Sequence, residues 1–100
     1  MALIPIQQNQ STYPITFGPI ILSSDHISSA TGKTLTVVIS KNGGAFASPS
    51  GAVTEIGDGI YQIAGNSTDS NTLGPFQVYA TATGCDPYND SGPVVAFNPY

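Results

Sequence analysis

Glycine and proline recur so often in this chain that no stretch of about eleven residues or more keeps an unbroken helical period. The 11 glycines and 8 prolines separate short runs rich in Val, Ile, Thr, Tyr and Phe. β-Branched and aromatic side chains suit a pleated, half-buried surface, while Gly, Pro, Asn and Asp supply turns. The chain is therefore expected to fold as short strands joined by tight turns.

Thr12 to Leu22 (TYPITFGPIIL) has strand composition, but Pro14, Gly18 and Pro19 confine it to an edge or to two short pieces. Ser23 to Lys33 is polar and reads as a loop. Thr34 to Ser40 (TLTVVIS) is the cleanest strand, with Leu35, Val37 and Ile39 on one face. Asn42-Gly43-Gly44 signals a hairpin, because Asn and Gly tolerate the positive φ of tight turns, and Ala45 to Ala47 is expected to pair back. Ala52 to Ile56, the turn Gly57-Asp58-Gly59 and Ile60 to Ala64 read as a second hairpin. After a polar connection over 66–74, Phe76 to Thr83 alternates with Phe76, Val78, Ala80 and Ala82 on one face. A loop over 84–93 and a last strand over Val94 to Phe97 end the series. The pattern predicts an all-β domain of about seven short antiparallel strands over 12–100, an immunoglobulin-like sandwich or small barrel. Neither a core Trp nor a pair of cysteines is present, so the immunoglobulin-like reading rests on strand number.

Residues 1–11 (MALIPIQQNQS) are expected to form an extended N-terminal arm. Leu3, Ile4 and Ile6 make an apolar tip, Pro5 breaks regular structure, and a Gln-Gln-Asn-Gln tether follows. Such a segment suits docking on a neighbouring subunit, or else it is a frayed terminus.

Only 8% of residues are charged, against roughly a quarter in ordinary soluble domains. A surface built from Ser, Thr, Asn and Gln needs little charge desolvation when a partner covers it, which favours a packed subunit over a free monomer. Lys33 and Lys41 are the only cations and the net charge is −4. That balance argues against nucleic acid as a partner and against attraction to an anionic membrane. The apolar run at the N-terminus is far too short to span a bilayer and lacks a basic n-region, consistent with synthesis in a cytosol.

Catalysis needs activated groups in mutual reach, and candidates are few. His26 is the sole histidine, beside Asp25 in a polar loop, and no G-x-S-x-G elbow surrounds a serine. Cys85 is a lone cysteine with no basic neighbour in sequence. Asp86, Asn89 and Asp90 offer oxygen ligands, but their spacing matches no EF-hand loop. No zinc set, phosphate loop or dinucleotide fingerprint occurs, so neither a cofactor nor enzymatic activity is expected. A hydrolase would have to rest on His26. Among the aromatics, Tyr79 is expected to point outward, Tyr88 lies in a loop and Tyr100 ends the chain. Exposed tyrosines anchor interfaces and stack on sugars.

The middle of the chain resembles a module of tailed-bacteriophage structural proteins. The resemblance runs through Ser24-Asp25-His26, Thr31-Gly32-Lys33-Thr34, and Val37 through Phe46 (VVISKNGGAF). It continues through Gly51 to Tyr61 (GAVTEIGDGIY), Thr68 to Gly74 (TDSNTLG) and Ala80 to Pro87 (ATATGCDP), covering about residues 23–97. The module is found in small virion proteins and within longer fibre-like ones. Its pattern more often has Ala at Cys85 and a bulkier aromatic near Ile60. The resemblance implies a virion part with a β-sandwich fold, bringing no catalytic residues with it. The expected role is a capsid decoration (cement) protein or a small head or tail surface subunit. It would bind the major capsid or tail protein and copies of itself through Leu3, Ile4, Ile6, Phe97 and Tyr100. The alternative is a fibre or baseplate adhesin using Tyr79, Asp86 and Tyr88 as a sugar surface.

Overall fold

A computed structural model describes residues 3–100. Among the described residues, seven strands and no helix form two sheets. The strands are β1 (Ile6–Gln7), β2 (Ile15–Phe17), β3 (Thr36–Lys41), β4 (Val53–Gly57), β5 (Ile60–Ile63), β6 (Gly74–Thr81) and β7 (Tyr88–Val95). One sheet has the order β1-β7-β6-β3 and the other β2-β5-β4. The second and fifth strands share one sheet with the fourth, while the third, sixth and seventh share the other. The result is a two-layer β-sandwich, with β1 completing the four-stranded sheet.

Alternation along β5 and β6 explains the core. Tyr61 and Ile63 point inward from β5, and Phe76, Val78 and Ala80 from β6, meeting Phe17, Ile20, Val37 and Ile39. Phe17 stands at the centre, with its ring centroid 6.4 Å from that of Tyr61 and 5.9 Å from that of Tyr88. Three aromatic rings thus fill the space between sheets that a Trp and a disulfide fill in antibody domains. The Tyr61 hydroxyl satisfies itself in this apolar setting by donating to the Ala30 carbonyl at 2.9 Å and accepting from the Lys33 amide at 3.1 Å. It thereby pins the loop leading into β3 across the core.

Both tight turns fall where expected, with positive φ at Asn42, Gly43, Asp58 and Gly59. The partner segment after the first turn is reduced to one bridge, Ala47 with Ile39, held by reciprocal backbone bonds of 2.9 and 2.8 Å.

Two expectations need correction. The last strand runs over Tyr88–Val95, well before Val94. Pro93 lies opposite Pro75, and the Ser91 and Val95 carbonyls accept bonds from the N-terminal segment. Alternation then turns the nitrogen of Pro93 away from β6, so proline removes no bond from that ladder. The N-terminal segment is the second correction. It is extended, but it docks on its own domain: β1 pairs parallel with β7, Ile6 beside Val94. Leu3 and Ile6 are 6% and 2% exposed and belong to the core. A Cβ at Gly92 would stand 2.8 Å from the Leu3 carbonyl oxygen, so glycine there permits the close approach. Burying two aliphatic side chains favours docking by about 3–6 kcal/mol before ordering costs, and the backbone bonds to Ser91 and Val95 add to it.

Candidate interaction surface

The exit of β1 is fastened by a polar turn over 66–71. Asn66 Oδ1 accepts from the amides of Thr68 and Asp69, closing the turn. The buried Ser70 hydroxyl is 3.0 Å from the Gln10 carbonyl, and the Asn9 amide donates to the Ser70 carbonyl at 3.0 Å. Neighbouring Asp69, also buried, accepts from the amides of Ser50 at 2.7 Å and Gly51 at 2.9 Å, just ahead of β4. One turn therefore holds the chain on both sides of the sandwich.

With Leu3 and Ile6 turned inward, the outer side of this edge carries a different set. Ile4 and Phe97 are 60% and 67% exposed, and Tyr13 and Tyr100 are also exposed. The rings of Tyr13 and Tyr100 lie 4.3 Å apart at a tilt of 41°. The Gln7 amide donates to the Tyr100 hydroxyl at 3.2 Å, which brings the last residue of the chain across β1. Three of the five expected interface residues, Ile4, Phe97 and Tyr100, are thus at the surface, and Leu3 and Ile6 are not. Tyr13 joins them only because the C-terminus folds back beside it, a contact spanning nearly the whole chain.

Tyr79, Asp86 and Tyr88, the expected ligand surface, do not come together. Tyr79 lies on the outer face of β6, its ring 6.2 Å from that of exposed Phe46. Tyr88 pairs with Ala80, whose side chain is buried, so it faces the opposite side and packs on Phe17. Its hydroxyl donates to Asp90 Oδ2 at 2.7 Å. Burial, reinforced by that hydrogen bond, pushes the phenol up to about 12. A one-residue step along a strand reverses the face, which is why adjacent tyrosines on paired strands are separated by a whole sheet.

Asp86 instead meets His26, at 2.8 Å between Oδ2 and Nδ1, joining the loop before β3 to the loop before β7. Leu22 and Cys85 bridge the same loops. The hydrogen bond to Asp86, followed by its charge, raises the imidazole above its ordinary value. Asp25 binds the Ser28 hydroxyl and the amides of Ser28 and Ile27, which hold its carboxyl down at about 2. Asp25 therefore caps its own loop and does not orient His26. Asp90 is engaged by Tyr88 and the Ser91 amide. Among the described residues, no three His, Cys, Asp or Glu side chains are grouped to hold a metal ion.

No known family model matches the chain, and no curated protein or solved structure matches it either.

Proposed function

We propose that this domain is an accessory structural protein of a tailed-bacteriophage particle, a capsid decoration protein or a small head or tail surface subunit. It works by binding, through the outer side of its β1 edge, to the major protein of that particle. The observation that carries this reading is the set of exposed apolar and aromatic side chains along the β1 edge, Ile4 and Phe97 flanking its two ends and Tyr13 packed on Tyr100, in a chain with 8% charged residues. Aromatic anchors with few charges to desolvate are the composition of an interface centre. The resemblance of residues 23–97 to phage structural modules supplies the setting. A sugar-binding adhesin draws less support, since Tyr79 and Tyr88 lie on opposite faces of one sheet.

The test uses surface substitutions, because removing residues 3–10 would also remove core side chains. Phe97→Ser with Ile4→Ser is expected to leave the thermal unfolding midpoint nearly unchanged. Co-sedimentation with purified particles is expected to fall about tenfold or more, as for the loss of a hot-spot aromatic. Undiminished co-sedimentation of the folded double variant would refute the assignment of this edge.

A further inference from the structure

Antiparallel alternation decides which backbone groups of β4 are free. The Ala64 amide donates to the Ala52 carbonyl at 2.8 Å, and Val53 lies opposite Ile63. Residues 52 and 54 therefore face β5, while the N–H and C=O groups of Val53 and Glu55 point away from the sheet. Among the described residues, no backbone bond outside the ladders reaches either one.

The other edges are partly closed or shorter. At β1, the Gln7 amide is taken by Tyr100. At β3, Ala47 takes the Ile39 backbone and the Gly44 amide the Lys41 carbonyl, leaving only Val37 fully open among the described residues. On β2, the same alternation leaves only Thr16 facing outward, between Pro14 and Pro19. Strand β4 has neither proline nor lysine, and its bulge, between Glu55 and Gly57, falls at the end of the strand beyond the open groups of Val53 and Glu55.

Beside this edge runs a groove of roughly 180 Å³, lined by Leu35, Val53 and Tyr61 together with Lys33 and Glu55. It carries one charge of each sign. The Lys33 ammonium has no side-chain or carbonyl acceptor among the described residues, while the Glu55 carboxylate accepts from the Gly32 amide at 2.7 Å. A groove with one cation and one anion complements its own two-fold image, not a strongly acidic or basic partner.

We propose that β4 pairs antiparallel with β4 of a second copy of this chain, about a two-fold axis at Thr54. Val53 of each copy then exchanges backbone hydrogen bonds with Glu55 of the other. The two Thr54 residues form the close, non-hydrogen-bonded pair on the axis. Exposed Ile56 comes over exposed Ala52 of the second copy, covering apolar surface on the outer face. The edge is on the other side of the sandwich from β1, so the pairing stands whatever the larger assembly is.

The register makes a sharp prediction. Cα atoms of a non-hydrogen-bonded antiparallel pair lie about 4.5 Å apart, within the range a disulfide spans. In the full chain with Cys85→Ser, Thr54→Cys is expected to form an interchain disulfide under mild oxidation. Its rate should exceed by about tenfold or more that of Thr36→Cys, an exposed position on another strand. Equal rates for the two cysteines would overturn the proposal, and that is the result expected if a strand of another protein occupies the edge. Loss of co-sedimentation in the Phe97 and Ile4 variant, with the Thr54→Cys rate unchanged, would separate this contact from particle binding.

Discussion

The β1 edge and the β4 edge lie on opposite sides of the sandwich and are finished in opposite ways. At β1 the two chain ends close on each other: Leu3 and Ile6 fill the core, and Tyr100 crosses the strand to take the Gln7 amide. At β4 the backbone of Val53 and Glu55 is open, and the neighbouring groove is of mixed charge. A closed edge can bind only through side chains, and it presents aromatic ones. An open edge can bind through its ladder. The same short sandwich thus has two chemically distinct edges.

The largest expected effect tests whether β1 belongs to the domain. Ile6→Ala removes a side chain that is 2% exposed, and should cost about 2–5 kcal/mol in denaturant unfolding. That is a large share of the stability of a domain this size. A loss below about 0.5 kcal/mol would mean that the segment is a detachable arm after all, and the contrast between the edges would collapse.

Next in size is the turn that serves both sides. Asp69→Ala strips the acceptor from the Ser50 and Gly51 amides, and is expected to cost about 2–3 kcal/mol. Hydrogen exchange should quicken at those two amides and at the start of β4, while the amides bonded between β1 and β7 stay protected. Uniform loss of protection would show that the two edges are not held independently.

The smallest effect belongs to the exposed loop pair. His26 has a folded-state value raised above about 6.5, so its contribution is full below that pH and is lost as pH rises through the raised value. NMR titration of the imidazole should show the upward shift, and Asp86→Asn should return it towards the ordinary value. Asp25 behaves in the opposite sense: its contribution is present above 3.8 and fades as pH falls towards 2. Neither titration should alter the surface at β1 or at β4. A pH-dependent change in particle binding that follows His26 would relocate the interface to these loops.

How much of this was legible in the residues depends on how local each feature is. The turns at Asn42-Gly43 and Gly57-Asp58-Gly59 are set by neighbours' φ angles, and both appear where the chain announces them. The inward faces of β3 and β6 follow from period-two alternation, which also places Tyr79 outside. Strand β7 was obscured by Gly92 and Pro93, whose suitability depends on which neighbour each faces. The docking of Leu3 and Ile6 joins the first residues to the last through a parallel pairing, and no local pattern encodes a parallel partner. The meeting of Tyr13 with Tyr100 and of His26 with Asp86 are likewise products of topology. The surface residues were visible as types, and their grouping was not.

As proposed, the domain is a particle subunit attached by its β1 edge. Imaging purified phage particles at a resolution that places the domain tests it most directly. One domain is expected at each equivalent site of the shell or tail surface, with Ile4, Phe97 and Tyr100 against the major protein. Particles that lack the protein, or that hold it with those residues facing solvent, would contradict it.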